Sequence, residues 1–555
     1  MKRYFTHKNT GVFVVYITLQ IMQIAGTVGV ALLLNWMIDI VVASIQTGAS
    51  DDLYRGVLVC AFYSVALGLL ILFSGVAKAY VVRNAMSNLR SDVTDGIMRM
   101  KISDFKKRNA AEYISLMNQN MTSLEENYYK NGLTIFENVV SMLFAAAMLV
   151  VLNPIVAVIS LALMSIPSLI PQLFGKRLAT ATGEIVSKTA SYNVSIKDFF
   201  QGFAVVKGYH VEDKMKEVND QSASGMEDSK KNMSVLMAVV YCFANASGVA
   251  VQFLVITIAG ILAIRGYLTV GSIIAVTQLT GQVIAPAFQL SAKITQLRAT
   301  KPIQEDMMKM ISSPEDVRRS NGCKKEIELK DVSYAYEGNN VLSDVSCVFE
   351  RGKHYAIIGK SGSGKSTLLN LVGGLTEVGS GQMMVDGDNA YVDAAMMGQE
   401  IFLFDRTIRD NVSLFGEYTD IQIRNAIAQA GLSELVEGLP EGLDTIVEEN
   451  GARFSGGERQ RIALARALLH GKDTILLDET TSALDAQTAG QVETTLSEMK
   501  DTTIISITHR IEESILSKYD NIIVLDRGKV AAQGTYHELY QNGLLDEYVE
   551  QRKSA

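Results

Sequence analysis

The chain has 555 residues, of which 48% are hydrophobic and 20% are charged, and its net charge is −8 at pH 7. An acidic chain without a dominant basic face gives no reason to expect nucleic acid as a partner. Its mean hydropathy of +0.17 is high for a soluble protein with this much charge, and the apolar runs lie almost entirely before residue 300. The four cysteines are widely spaced and match neither a disulfide framework nor a metal site, so we interpret them as packing residues.

Six apolar stretches in the first 300 residues are long enough to cross a bilayer. They cover residues 12–40, 57–82, 133–152, 155–174, 235–264 and 270–290. The first follows a basic N-terminus, but its length exceeds the apolar core of a signal peptide, so we interpret it as a span. Asn153 and Pro154 predict a turn between the third and fourth spans, and Pro167 and Pro171 predict a kink or an end in the fourth.

The loops between the predicted spans differ in charge. Residues 83–130 and 175–234 are polar and rich in Lys and Arg, whereas residues 43–53 contain neither and carry Asp51 and Asp52. The positive-inside rule therefore places both termini and both long loops in the cytoplasm. The long loops contain few helix breakers, and we expect them to continue the spans as helices beyond the bilayer.

The composition changes after the sixth span. Residues 301–325 are polar and we interpret them as a linker. From Glu326 onward, alternating and short apolar segments predict strands. The predicted architecture is an all-α transmembrane domain of six spans at 1–300, followed by an α/β domain at 326–555.

A phosphate-binding motif, GKSGSGKST, follows a short apolar strand at residues 359–367. Glycines allow backbone N–H groups to surround phosphates, and the following helix points its positive end at them. Lys365 is predicted to contact the β- and γ-phosphates, and Ser366 to hold Mg²⁺. The predicted nucleotide-binding residues here are Gly359, Lys360, Ser361, Gly362, Ser363, Gly364, Lys365, Ser366 and Thr367.

Two carboxylates end a second apolar strand, TILLDE, about 110 residues downstream. An Asp at the end of a buried strand beside such a loop can hold Mg²⁺, and the adjacent carboxylate can polarise the attacking water. Asp478 and Glu479 are assigned these roles in that order.

Between these motifs lies FSGGERQR, at 454–461. The sequence here resembles the ABC transporter nucleotide-binding domain, whose signature is LSGGQ. The resemblance implies that two such domains enclose ATP head to tail, with Ser455, Gly456 and Gly457 of one subunit contacting the γ-phosphate held by the other. Phe454 keeps the apolar character of the signature, whereas Glu458 adds a negative charge beside the predicted site.

The resemblance extends to further positions in the family's order. It implies that Tyr336 stacks on adenine, that Gln399 contacts Mg²⁺, that Asp485 touches the partner subunit and that His509 contacts the γ-phosphate. It also implies that Glu449, just before the signature, meets the coupling segments of the membrane half. For those segments we expect residues 109–120 and 199–213.

The six spans with long cytoplasmic helices resemble the type IV exporter fold, which implies a dimer of half-transporters in a cell membrane, of bacterial origin. The resemblance implies ATP-driven export by alternating access, with ATP and Mg²⁺ bound and with a lipid, drug or small peptide as the cargo. An importer with an exporter-like fold, for example for a siderophore, and a membrane sensor that moves no cargo remain alternatives. Homodimer and heterodimer stay open. Within the spans, Glu137 is predicted to face a cavity and Asp39 to lie near the outer interface.

Overall fold

The computed structural model describes residues 1–48, 50–314, 320–336, 338–479 and 486–545. The chain forms two compact units. The first contains Met1–Met98 and Asn109–Ser313, and the second contains Arg99–Arg108 and Pro314–Ala555.

The first unit is helical, with long helices whose apolar stretches continue into polar ones. The helices in chain order are α1 (Thr10–Thr47), α2 (Asp51–Met98), α3 (Ile102–Phe105, in the second unit), α4 (Ala110–Ser115), α5 (Met121–Leu124), α6 (Asn131–Leu152), α7 (Pro154–Leu173), α8 (Gly175–Gln201), α9 (Phe203–Gly208), α10 (Glu212–Ile264), α11 (Val270–Ala299) and α12 (Lys301–Ile311). A 3₁₀ turn, Lys2–Phe5, precedes α1, and π-helical segments, Leu116–Asn120 and Glu125–Lys130, flank α5. Helix α10 has 53 residues, about 80 Å at 1.5 Å per residue, which is well beyond the thickness of a bilayer.

Among the described residues, five helices are long and apolar enough to cross a membrane, and the shorter apolar α7 lies between two of them. The predicted turn is confirmed, because α6 ends at Leu152 and the Asn153 side chain accepts hydrogen bonds from the backbone N–H groups of Ile155 and Val156, at 3.0 and 3.1 Å. Helix α7 continues through Pro167 to Leu173, so the prolines do not end it there.

The prediction that the polar loops continue as helices is confirmed. Helix α2 runs through the first loop as far as Met98, and α8 and α10 cover most of the second. The chain reverses between Met98 and Ala110, and the 109–120 segment, for which a coupling role is predicted, begins at the end of this reversal. The second reversal contains the short helix α9, inside the expected 199–213 segment.

The predicted linker does not begin as a loop. Residues Lys301–Ile311 form α12, whose Met307 and Met310 are buried within the first unit. The apolar residues of Lys301–Ile311 recur at helical spacing, and Pro302 occupies the first turn, where proline is tolerated.

The second unit combines three sheets with helices. Its strands are β1 (Ser320–Asn321), β2 (Glu326–Tyr336), β3 (Asn339–Glu350), β4 (His354–Ile358), β5 (Ser380–Val385), β6 (Tyr391–Val392), β7 (Ala394–Met397), β8 (Thr474–Asp478), β9 (Thr503–Ile507), β10 (Asn521–Asp526) and β11 (Lys529–Gly534). Its helices after α12 are α13 (Lys365–Val372), α14 (Ile408–Ser413), α15 (Asp420–Gln429), α16 (Ser433–Gly438), α17 (Gly456–Leu469), α18 (Ala486–Ser497), α19 (Glu513–Leu516) and α20 (Tyr536–Gln541).

The central sheet has the order β11-β10-β4-β9-β8-β7, and all its neighbouring pairs except β10–β11 are parallel. Strands β4, β8 and β9 are buried at every residue, as expected for parallel strands covered on both faces. Their carboxyl ends therefore meet at one edge of the sheet, which is where ligands bind in open α/β sheets.

Candidate functional site

The phosphate-binding motif forms a tight loop between β4 and α13. Gly362 and Gly364 have φ angles of 77° and 99°, in the left-handed region that favours glycine. A Cβ on Gly364 would lie 2.8 Å from the Leu342 side chain, so the position also has no room for a larger residue. The Ser363 hydroxyl is buried and has no hydrogen-bond partner among the described residues. A cradle of this kind, which leaves polar groups unpaired, suits a bound anion.

Lys365 is the first residue of α13 and is only 6% exposed. Its Nζ donates hydrogen bonds to the backbone carbonyls of Gly359 and Lys360, both at 2.9 Å, so the side chain lies across the loop. Burial lowers the pKa of Lys365, while the nearby carboxylates of Glu479 and Asp478 oppose that shift. The side chain is thus a buried cation held at the point where phosphates would lie.

Asp478 ends β8 beside this loop. It pairs with Ile507 of β9, which in turn pairs with Ile357 of β4, so the three strand ends form one row. Burial raises the pKa of Asp478, and a hydrogen bond from Ser366 opposes the shift. One carboxylate oxygen, Oδ1, is buried without a hydrogen-bond partner among the described residues. An unpaired buried carboxylate oxygen beside a hydroxyl is a donor set that Mg²⁺ prefers.

Glu479 is the centre of a small polar cluster at the same edge. Its Oε1 lies 2.7 Å from His509 Nε2, and its Oε2 accepts a hydrogen bond of 3.4 Å from Gln399 Nε2. The backbone of Glu479 has φ 54°, which is uncommon for a residue with a side chain and often marks a functional position. Three residues that were predicted separately, each after a different strand, are therefore in contact.

The signature segment forms the N-terminus of α17. The Ser455 hydroxyl accepts a hydrogen bond from the Glu458 backbone N–H at 3.3 Å, and the Glu458 carboxylate accepts one from the Ser455 N–H at 2.7 Å. This pair is a capping box. The negatively charged carboxylate of Glu458 is therefore bound to the backbone at the N-terminus of α17. Phe454 is buried in the apolar core of the second unit, as its aliphatic counterpart in the signature would be.

The remaining predicted residues lie in different surroundings. Tyr336 ends β2 and its side chain is largely exposed. Glu449 lies in a 3₁₀ turn between Glu448 and Asn450, both of which have positive φ angles. Asp485 lies outside the described residues.

Sequence reasoning missed Arg466, which organises the segment after Gln399. Its guanidinium donates to the backbone carbonyls of Asn411 at 2.8 Å and Phe402 at 3.3 Å, and the buried Asn411 side chain bonds the backbone of Phe404 in turn. Arg466 lies about one helical turn after FSGGERQR. No local motif predicts its contacts with Asn411 and Phe402, which lie 55 and 64 positions earlier in the chain.

In the first unit, Glu137 forms a polar cluster with two other helices. Its Oε1 lies 2.8 Å from Lys78 Nζ and accepts a hydrogen bond of 2.7 Å from the Tyr16 hydroxyl. Asp39 accepts hydrogen bonds from the Thr269 hydroxyl at 2.9 Å and the Gly271 N–H at 3.0 Å, at the start of α11. Lys78 lies in a predicted span and is a cation that the sequence analysis did not single out.

Comparison with known families matches two models to the chain, the ABC transporter transmembrane region at residues 13–287 and the ABC transporter domain at residues 342–482. The chain belongs to the ABC transporter family. It is a multi-pass membrane protein and a half-transporter, with one membrane region followed by one nucleotide-binding domain that couples ATP hydrolysis to transport.

The ATP-dependent lipid A-core flippase of Vibrio cholerae is 31% identical over 66% of this chain and 64% of its own length, and that of Haemophilus influenzae is 29% identical over 86% of both. YgaD of Bacillus subtilis, whose name suggests multidrug export, is 26% identical over 83% of this chain and 82% of its own length. A bacterial Atm1-family ABC exporter with ATP bound has a similar fold, with a TM-score of 0.81, 20% identity and 98% coverage of both chains. This ABC transporter therefore has the exporter fold.

Proposed function

We propose that this chain exports an amphipathic cargo, a lipid, a drug or a small peptide, across a bacterial cell membrane as a dimer of half-transporters. The observation that carries the proposal is the contact of Glu479 with His509 and Gln399 beside the phosphate loop, since this set equips a membrane transporter for ATP turnover rather than binding alone. The names of the relatives, lipid flippases and a suggested drug exporter, favour this range of cargo.

For the ATP contacts we propose the roles that the motifs and the family resemblance predict. The backbone N–H groups of 359–367 surround the phosphates, Lys365 neutralises their charge and Tyr336 stacks on the adenine. The exposed Tyr336 side chain and the unpaired Ser363 hydroxyl support these roles. The predicted contact of Asp485 with a second subunit remains part of the proposal.

The residues present fit a magnesium ion. Ser366, Gln399 and Asp478 would hold it, and the unpaired Oδ1 of Asp478 is the observation that supports this set. When bound, the ion neutralises charge on the phosphate oxygens.

Hydrolysis requires an oriented water molecule. Glu479 accepts a hydrogen bond from that water and polarises it for attack on the γ-phosphorus, while the bond from this phosphorus to the bridging oxygen breaks. His509 fixes the Glu479 carboxylate through their 2.7 Å contact and would hold the γ-phosphate. The left-handed backbone of Glu479 sets the direction of its side chain.

The second half of each site comes from another subunit. The N-terminus of α17, with Ser455, Gly456 and Gly457, presents N–H groups suited to a γ-phosphate. Because this chain carries both the loop and the signature, two copies can form two complete sites. We therefore propose a homodimer, and purification of this chain with full activity and no second polypeptide tests it.

For the domains we propose the predicted boundaries, with a transmembrane domain at 1–300, a linker at 301–325 and a nucleotide-binding domain at 326–555. The linker in this proposal begins as the helix Lys301–Ile311, which packs within the first unit. Both termini lie in the cytoplasm, as the charge of the loops indicates. ATP binding draws the two nucleotide-binding domains together, and the long helices transmit this closure so that the cavity opens outward.

Reconstitution into proteoliposomes tests export directly. Fluorescent lipids and drugs are supplied on the side of the nucleotide-binding domains, and their ATP-dependent movement is compared with that in Glu479→Gln. Movement in the parent alone supports the proposal. Turnover of ATP without movement of any cargo would favour a sensor, and accumulation in the opposite direction would favour import.

A further inference from the structure

A cavity of about 850 Å³ opens within the first unit. It lies between α2, the π-helical segment Glu125–Lys130 with the start of α6, and α11. Its lining is unusually basic, with Lys78, Arg83, Arg90, Lys130 and Lys293. We call it the basic cavity. Pockets for small molecules are typically 300–1,000 Å³, so its size suits a headgroup or a small ligand.

The carboxylates in and around the basic cavity neutralise only some of these cations. Lys130 lies 2.9 and 2.6 Å from Glu125 and Glu126, which are also in the lining, and Lys78 pairs with Glu137. The Lys78–Glu137 pair is neutral, whereas the group of Lys130 with Glu125 and Glu126 keeps one surplus negative charge, which offsets one of the remaining cations.

The other three cations have no carboxylate partner among the described residues. Lys293 donates to the Asn131 side-chain oxygen at 3.2 Å, Arg90 to the Met117 backbone carbonyl at 2.7 Å and Arg83 to the amide oxygen of the neighbouring Asn84 at 3.1 Å. Neutral acceptors leave their charges uncompensated. A partly enclosed space with three such cations attracts anions, because low-dielectric walls strengthen the field inside it.

The apolar part of the lining indicates that the ligand also has an apolar part. Gly75, Ala79 and Val82 line the cavity along α2, inside or at the end of the predicted span 57–82, whereas Arg83 and Arg90 follow that span. Apart from Lys78, which pairs with Glu137, the lining along α2 thus changes from small and apolar to basic within about four turns. This arrangement complements an amphiphile whose anionic group lies next to its hydrocarbon.

The backbone of one wall is itself irregular. The segment Glu125–Lys130 is π-helical, and π-helical turns are rare and occur frequently at functional sites. The wider turn sets the positions of Glu125, Glu126 and Lys130, which pair with one another in the lining.

We propose that the basic cavity binds the anionic group, phosphate or carboxylate, of an amphipathic cargo, with Arg83, Arg90 and Lys293 as its partners. This inference rests on the proposed function, since it names the class of cargo. Lys78 is compensated by Glu137 and is not assigned to the ligand.

Binding to the purified full chain in detergent, without nucleotide, tests the inference. The probes are dioleoyl phosphatidic acid, dioleoyl phosphatidylcholine and soluble glycerol 3-phosphate, measured by thermophoresis. We expect phosphatidic acid to bind at least tenfold more tightly than phosphatidylcholine. A charge-assisted hydrogen bond is worth about 1.5 kcal/mol or more, so Arg83→Gln and Lys293→Gln should each weaken phosphatidic acid binding about tenfold.

Lys216→Gln is the matched control, because Lys216 is exposed on α10 and lies outside the cavity lining. It should bind phosphatidic acid like the parent. If a cavity variant fails to fold, the salt dependence of binding by the parent protein tests the inference instead. Raising the salt concentration from 50 to 500 mM should weaken the binding of phosphatidic acid and leave the binding of phosphatidylcholine unchanged.

The outcomes distinguish a lipid headgroup from a soluble anion, and they distinguish failure of this inference from failure of the proposed function. Glycerol 3-phosphate that binds as tightly as phosphatidic acid, and is lost in the variants, identifies a soluble anion as the ligand. Equal binding of the two lipids, or variants that bind like the parent, overturns the inference. Tight phosphatidic acid binding by a chain that moves no lipid in proteoliposomes would retain the basic cavity and refute the proposed function instead.

Discussion

The capping box at the signature predicts different effects for two substitutions of Glu458. Glu458→Ala removes the acceptor of the 2.7 Å bond from the Ser455 N–H and a negative charge from the N-terminus of α17. Loss of a helix cap costs about 1 kcal/mol, and loss of a favourable charge at the terminus about 0.5 kcal/mol. Glu458→Gln keeps an oxygen acceptor and loses only the charge, so it should cost about 0.5 kcal/mol.

Hydrogen–deuterium exchange of the nucleotide-free full chain measures this difference. A loss of about 1.5 kcal/mol corresponds to roughly tenfold faster exchange of the Ser455 amide in Glu458→Ala, and 0.5 kcal/mol to about twofold in Glu458→Gln. Because Gly456 and Gly457 follow in the same turn, ATP hydrolysis should remain within about twofold of the parent in the Gln variant and fall more in the Ala variant.

The result that would refute this reasoning is equal exchange in all three proteins. It would mean that the Ser455 N–H draws no protection from the Glu458 carboxylate. A higher ATPase rate in Glu458→Gln, with unchanged exchange, would mean instead that the negative charge of Glu458 itself lowers the rate of ATP hydrolysis.

Three further predictions concern the phosphate loop, the polar cluster in the membrane region and a half-buried histidine. Both glycines have left-handed backbones, so an alanine strains either position, but a Cβ on Gly364 would also lie 3.0 Å from the Val341 backbone oxygen and 2.8 Å from the Leu342 side chain, whereas Gly362 has open space around it. Gly364→Ala should therefore weaken ATP binding more than Gly362→Ala, and equilibrium binding of a fluorescent ATP analogue measures both. Lys78→Met and Glu137→Gln should each lower the melting temperature in detergent. The double variant should lose about 1 kcal/mol less free energy of unfolding than the sum of the two single losses, because the two side chains pair. Burial lowers the pKa of His470 below its ordinary value of 6.5, so the unfolded chain takes up a proton first and stability should fall as the pH drops below about 6.5. His470→Phe should reduce that dependence in thermal unfolding at pH 7.5 and 5.5.

Each of these has a contradicting outcome. Equal ATP binding by the two glycine variants would refute the steric argument. Strictly additive losses at the two membrane positions would show that the pair contributes no coupling. An unchanged pH dependence in the histidine variant would assign the acid sensitivity to other groups.

Short motifs allowed the sequence to predict residues that the structure brings together at one edge of the central sheet. A glycine-rich loop after a strand and two carboxylates after another each constrain local backbone geometry, and parallel strands bring their ends together. The contact of Glu479 with His509 follows from this, although its distance and the left-handed backbone of Glu479 could not be inferred. The capping role of Glu458 could have been predicted, since a Ser followed three residues later by a Glu is a capping-box pattern.

Contacts between distant helices could not be predicted in the same way. Glu137 was recognised as unusual in a span, but its partner Lys78 lies 59 residues earlier on a different helix. Hydropathy gave the approximate spans because burial in lipid requires apolar length, yet it carries no information on which helix faces meet. The π-helical segments depend on packing, which overrides local preference. The helix Lys301–Ile311 has apolar residues at helical spacing, and the sequence analysis did not make use of that pattern.

The central claim, that this chain is an ATP-driven half-transporter able to form complete sites with its own copy, is tested most directly by one measurement. The chain is purified alone, placed in lipid nanodiscs, and its vanadate-sensitive ATPase activity is compared with that of Glu479→Gln. The account predicts robust activity in the parent and its loss in the variant with ATP binding retained. Parent protein that binds ATP but does not hydrolyse it, or a variant as active as the parent, would contradict the account.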